Sequence, residues 1–169
     1  IEAFNMVSSQ FPDWKLRLLG HFPAGAQIYE LAGSNKRIEV CKAVHKSEMP
    51  AEISRCSIVV QASRTEAMGR VLVEAMAAEK PRVGADVGGV HTVIDNGVDG
   101  FLVPPEDAKS LAHAMQELMG NAELRRAMGV AAKKRAGRDF SSDEYFSRLA
   151  RLYQDTIARY GYKTGLENR

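Results

Sequence analysis

Between Glu2 and Val103, short apolar runs alternate with segments whose apolar residues recur every three or four positions. That alternation leaves few folds open, because a period near 3.6 marks helices and short branched runs mark buried strands. The spacing predicts helices over 2–9, 26–32, 50–55, 69–78 and 89–94. Strands are predicted over 15–19, ending at Gly20, within 38–44, and over 57–61, 81–85 and 100–103. Three helices then follow without a strand, over 107–119, 122–138 and 142–160. Strands separated by helices are βαβ units, so the expected class is α/β, a doubly wound, Rossmann-like parallel sheet with a helical C-terminal tail. In such sheets ligands bind beyond the carboxyl ends of the strands. Those ends are Gly20, Val44, Gln61 and Ala85.

Length and composition fit one ordinary globular domain with a core: 169 residues, 45% hydrophobic and 26% charged. Lys plus Arg (23) nearly balances Asp plus Glu (21), which gives no case for a nucleic-acid surface. The basic run Lys133-Lys134-Arg135 is read as a solvated helix face. Cys41 and Cys56 match neither a zinc nor a redox spacing, so free thiols in a reducing, cytoplasmic compartment are expected. No apolar run approaches the ~20 residues that span a bilayer, and no signal peptide is seen. The chain begins at Ile1, which reads as part of a longer protein.

Local chemistry adds expected caps. Asn121 and Ser141 or Ser142 should start the last two helices, with Glu144 placed for a capping box. Asp86 should cap the short helix after Val87-Gly88-Gly89. Asn96-Gly97 and Asp99-Gly100 read as turns. His21, His45, His91 and His113 lack metal spacing, and only His45 falls near a predicted pocket rim. The face Phe146, Leu149, Leu152, Tyr153 and Ile157 of the last helix should pack on something. The tail 161–169 has little to bury.

The segment from Ser63 to Pro81 is richest in chemistry. It leaves a strand and opens a helix, with Glu66 before the helix and Glu74 within it. Eight helical positions span roughly 12 Å at most, about the reach from a sugar to a ribose. A carboxylate accepts charge-assisted hydrogen bonds from two hydroxyls at once. A helix start favours a diphosphate through its free N–H groups and dipole, and Gly69 lets backbone approach a ligand. On spacing alone, Glu66 also fits a charge complementing the dipole, and Glu74 a surface charge.

The surroundings distinguish these readings by resemblance. Glu66-Ala67-Met68-Gly69-Arg70-Val71-Leu72-Val73-Glu74-Ala75-Met76-Ala77, followed by Pro81-Arg82-Val83, resembles the E-x7-E region of retaining GT-B glycosyltransferases of family 4, group 1. The likeness extends through Asp86-Val87-Gly88-Gly89-Val90 and Asp95-Asn96-Gly97-Val98-Asp99-Gly100-Phe101-Leu102-Val103-Pro104. It reaches back to Phe11-Pro12 and Leu18-Leu19-Gly20, and forward to Phe140-Ser141.

The resemblance implies the C-terminal, donor-binding half of such an enzyme, lacking its first strand. It implies that Glu66 is the catalytic-site carboxylate, binding donor-sugar hydroxyls, and that Glu74 binds the ribose. It assigns the backbone of Ala67, Met68, Gly69, Arg70, Val71 and Leu72 to sugar and phosphates, Gly20 to the neighbouring loop, and Val44 and His45 to the base. No metal or other cofactor is implied; a UDP- or GDP-linked sugar is the substrate. The acceptor would be a sugar, lipid-linked or other hydroxyl, held by an absent N-terminal domain. That domain could also place a cytoplasmic enzyme at the inner face of a membrane.

Residues 1–140 would then form the nucleotide-sugar domain, and 141–160 a helix crossing to the absent domain. The absent first strand would lie between the strands near Leu18 and Val59. Its loop normally carries an Arg and a Lys that clamp the diphosphate.

The sequence departs from the family pattern at Ala67, Met68, Glu79 and Arg82, and Gly20-His21-Phe22-Pro23 has one glycine fewer than usual. A binding domain without catalysis and a nucleotide-sugar epimerase share the expected architecture. A dehydrogenase is disfavoured, since no G-x-G-x-x-G follows a strand.

Overall fold

The computed structural model describes residues 1–23, 27–33 and 35–160. The expected start of a helix at Ala26 and the expected tail 161–169 lie outside them. The elements run α1 (Glu2–Val7), a 3₁₀ turn (Ser8–Gln10), β1 (Leu16–Gly20), α2 (Gln27–Ala32), β2 (Ile38–Lys42), α3 (Met49–Arg55) and β3 (Val59–Gln61). They continue with α4 (Arg70–Ala77), β4 (Arg82–Ala85), α5 (Val90–Val93), β5 (Gly100–Val103), α6 (Ala108–Gly120), α7 (Ala122–Asp139) and α8 (Ser142–Tyr160). The fold is the expected Rossmann-like α/β class.

All strand pairs are parallel, but the described strands form two sheets, β1-β2 and β3-β4-β5. No ladder joins β1 to β3 among the described residues. Even so, Leu16 and Leu18 from β1 and Ile58 and Val60 around β3 pack on one cluster, built on Phe4, Val7, Met115 and Met119. The two sheets therefore share a core without sharing backbone hydrogen bonds. Among the described residues, each leaves an edge whose N–H and C=O groups lack a strand partner.

β4 is central in its sheet, and all four of its residues are buried. Behind it, Val83, Val103, Leu118 and Met128 join β4 and β5 to α6 and α7. On the other side Leu72, Val90, Val93 and Ile94 join α4 and α5. Helices thus cover both faces, as parallel sheets require.

The caps follow local chemistry in part. Asp107 accepts from the N–H groups of Lys109 and Ser110, and Asn121 from that of Leu124. Ser141 Oγ accepts from Glu144 N at 3.2 Å. The Glu144 carboxylate turns instead to Arg148, 2.7 Å away, so the capping box is not closed. Asp86 does not cap α5; Gly89 occupies that position, and the Asp86 side chain lies 3.9 Å from His91 Nδ1. Val87, Gly88 and Gly89 separate Asp86 from Val90, the first residue of α5, and carry its side chain out of reach.

α8 buries none of its residues. Phe146, Leu152, Tyr153 and Ile157 are exposed and Leu149 is half-buried, so most of the face expected to pack has no cover among the described residues.

Candidate functional site

Gln61 ends β3, and the chain then loops through Glu66 to Gly69 before α4 begins. Gly69 is the N-cap of α4 with φ 83° and ψ 61°, a left-handed conformation that a side chain would strain. Gly69 O accepts from Leu72 N at 2.9 Å, tightening the first turn. The first N–H groups of a helix lack intrahelical partners, so this end is suited to an anion. Met68 and Arg70 are exposed on either side of buried Gly69. Leu72 is fully buried and anchors the helix to the core.

Glu66 is half-buried and its carboxylate is fixed at both oxygens. Oε1 accepts from Ala67 N at 3.0 Å, and Oε2 from Gln61 Nε2 at 2.5 Å. Glu74 stands about one turn into α4, partly exposed, with Arg70 Nη2 3.8 Å away. The structure therefore gathers Gln61, Glu66, Ala67, Met68, Gly69, Arg70, Val71, Leu72 and Glu74 along one loop and helix.

The other predicted residues stand apart. Gly20 ends β1 opposite Lys42 of β2, and the ring of Phe22 covers it, so a Cβ there would lie 2.8 Å from Phe22 Cζ. Val44 is half-buried. His45 is exposed and tied into its own turn, with Nδ1 2.8 Å from Ser47 Oγ and its N–H donating to Glu48 at 3.0 Å. An open cleft of about 780 Å³ lies elsewhere, between β5 and α6, lined by Phe101, Val103, Lys109, His113 and Glu117. It touches none of the predicted site residues.

Two features of the site escape a reading of local sequence. The first is the Gly88-Gly89 pair before α5. A Cβ at Gly88, where φ is +52°, would lie 1.7 Å from Glu66 O, and one at Gly89 would lie 2.3 Å from Ala67 O. Gly89 N donates to Ala67 O at 2.9 Å. Backbone thus rests directly on backbone behind the carboxylate loop, and the two glycines carried the only signal of it.

The second is a buried charge network at the opposite end of α5. Arg82 is fully buried and pairs with Asp99 at 2.6 Å. Its other guanidinium nitrogen donates to Val93 O at 2.8 Å. Arg135 Nη1 meets the second Asp99 oxygen at 3.1 Å, and Nη2 donates to Thr92 O at 2.6 Å. Burial pushes the Arg82 guanidinium below its ordinary value; Asp99 opposes this shift and Arg135 adds to it. Two expectations are corrected here. Asp99 is more than a turn residue, and Arg135 leaves the solvated face because its guanidinium can reach the α5 carbonyls. A charged residue inside the apolar run Pro81–Ala85 was the available signal.

Cys41 and Cys56 are free thiols. Burial pushes the Cys56 thiol above its ordinary value. No described helix is long and apolar enough to cross a membrane.

A parallel α/β domain with a carboxylate-bearing loop at a strand's carboxyl end, running into a glycine-started helix, defines a Rossmann-like unit. The profile of the glycosyl transferases group 1 matches residues 1–135, and the chain belongs to that family.

Two relatives and one solved structure place it further. The chain is 34% identical over 164 residues to the exopolysaccharide phosphotransferase SCO2592 of Streptomyces coelicolor, covering 94% of this chain and 17% of that protein. It is 29% identical over 158 residues to the alpha-D-kanosaminyltransferase of Streptomyces kanamyceticus, covering 92% of this chain and 41% of that protein. The structure of Alr3699/HepE from Anabaena in complex with UDP superposes with a TM-score of 0.76 at 25% identity, over 90% of this chain and 44% of that one. The chain thus spans less than half the length of each.

Proposed function

We propose that this chain is the donor-binding half of a glycosyltransferase that moves a sugar from a UDP- or GDP-linked donor to a hydroxyl, with retention at the anomeric carbon. The observation that carries this is the fixed Glu66 carboxylate at the carboxyl end of β3, directly before a glycine-started helix that presents Glu74. Glu66 accepts hydrogen bonds from donor-sugar hydroxyls, and Glu74 from the ribose. The backbone from Ala67 to Leu72 lies along the sugar and phosphates. By the same resemblance Gly20 belongs to a neighbouring donor-binding loop, and Val44 and His45 lie near the base. Membership of the group 1 family and the UDP complex of the Anabaena relative support a nucleotide-sugar ligand.

The domain would be residues 1–140. Residues 141–160 would lie against an N-terminal, acceptor-binding domain, and the exposed apolar face of α8 supports that division. A strand between β1 and β3 would join the two sheets and bring the groups that clamp the diphosphate. Electrostatic stabilisation of the leaving diphosphate would come from those groups, so the 169 residues alone should bind donor weakly and not turn over. The reaction needs no metal in this reading, and the whole enzyme would work in the cytoplasm.

Calorimetric titration of the complete polypeptide with UDP-, GDP- and ADP-sugars tests the proposal. Saturable binding of one of them, weakened by Glu74→Ala, is the expected result. Unchanged donor affinity in Glu74→Ala would sink the role given to Glu74, and no binding of any donor would sink the proposal.

A further inference from the structure

The geometry points to Gln61 as the residue that positions Glu66 for the donor sugar, an inference that rests on the function proposed above. Gln61 is the last residue of β3, level with Gly84 of the central strand. Its backbone is therefore held by the sheet, while Glu66 sits on a loop. The amide spans the two, with Nε2 2.5 Å from Glu66 Oε2.

The other end of the amide explains why the residue is held in one orientation. Gln61 Oε1 is buried and has no hydrogen-bond partner among the described residues. It lies 2.8 Å from where a Cβ on residue 69 would stand, closer than a side chain there would tolerate. Turning the amide over would put Oε1 against the carboxylate, acceptor against acceptor. The sheet therefore presents a donor to Glu66 at the cost of an orphaned carbonyl, and Gly69 makes room for it.

A carboxylate oriented by Gln61 and by Ala67 N keeps its remaining lone pairs for sugar hydroxyls. Methionine at position 61 would keep length and apolar packing but remove the donor, leaving one Glu66 oxygen free to swing. Gln61 is a positioning residue in this scheme, since it acts through Glu66.

The test uses the complete polypeptide that carries this chain, titrated calorimetrically with UDP-, GDP- and ADP-glucose and with each free nucleoside diphosphate. Gln61→Met should weaken the preferred sugar nucleotide about tenfold, the scale of one hydrogen bond to a charged group. It should leave the free diphosphate's affinity unchanged, a split that a general loosening of the fold would not give. In a Glu66→Ala background, Gln61→Met should add no further loss.

Equal weakening of sugar nucleotide and free diphosphate, unchanged affinity for both, or an additive loss in the double variant would each overturn the inference while leaving the donor-binding proposal standing. A wild-type protein that binds none of the six ligands would overturn both.

Discussion

Arg82 and Asp99 form an ion pair in which both side chains are essentially excluded from solvent, with 2.6 Å between Nη2 and Oδ1. The same Arg82 nitrogen also donates to the Asp99 carbonyl at 2.8 Å. Asp99 in turn takes the N–H of Asp95 at 2.8 Å and the guanidinium of Arg135. This cluster ties the start of β4 to the C-terminal end of α5 and to α7. α5 begins with the glycines that support the Glu66 loop, so the charge cluster and the candidate site share one short helix.

Removing Arg82 takes one of the two guanidinium partners from buried Asp99 and leaves Arg135 as the other; breaking a buried pair costs about 3–5 kcal/mol. Arg82→Ala should therefore destabilise by about that amount, read as a drop in the urea midpoint at unchanged slope. Arg82→Met combined with Asp99→Asn should recover part of the loss, since the buried charge on Asp99 goes with its partner.

Gly88 admits no side chain. Gly88→Ala would add left-handed strain of ~1–2 kcal/mol to a collision with the Glu66 carbonyl, 1.7 Å from the new Cβ. The loop must move, so thermal stability and donor affinity should both fall. Gly97, also at positive φ but with open space around it, is the control: Gly97→Ala should lower stability slightly and leave donor affinity unchanged.

Asp107 caps α6 by accepting two backbone N–H groups and the Ser110 hydroxyl. Asp107→Ala should remove these bonds and lower the melting temperature.

Asp139 gives a pH signature. The Arg138 guanidinium holds its carboxyl well below the usual range, at about 2, with Arg135 adding to the effect and burial opposing it. A carboxyl whose folded pKa is depressed stabilises the fold above its unfolded value of about 3.9 and loses that contribution as pH falls toward 2. Asp139→Asn should flatten the stability profile between pH 4 and 2, and added salt should shrink the wild-type effect.

The two sheets predict how the isolated 169-residue chain behaves. Unpaired edges on β1 and β3 cost backbone hydrogen bonds and invite intermolecular pairing. The chain alone should melt broadly, below the ~45 °C lower bound usual for mesophilic domains, and self-associate. A sharp monomeric transition by circular dichroism and light scattering would contradict this.

Much of the fold was legible beforehand because its signals are local. Branched runs such as Ser57–Gln61 and the three-and-four spacing of Leu72, Ala75 and Met76 depend only on near neighbours. The cap at Asn121 and the turn at Gly69 are likewise set within four residues. Asp86 misled because a cap requires the helix to begin at once, and the Gly88-Gly89 turn intervenes. The basic run at 133–135 is a solvated face at Lys133 and Lys134 and misled only at Arg135, because Lys133 meets exposed Glu79 whereas Arg135 meets buried Asp99.

By itself, then, the sequence determined the order of strands and helices, the loop carrying Glu66, and the helix carrying Glu74. Only the tertiary structure decided that Gln61 grips Glu66, that Gly88 and Gly89 lie against that loop, that Arg82 finds Asp99, and that the described strands fall into two sheets. The physical reason is separation along the chain. Periodicity and turn chemistry act through backbone geometry over a few residues, whereas a buried charge or a close backbone contact is defined by which distant segment the fold brings beside it.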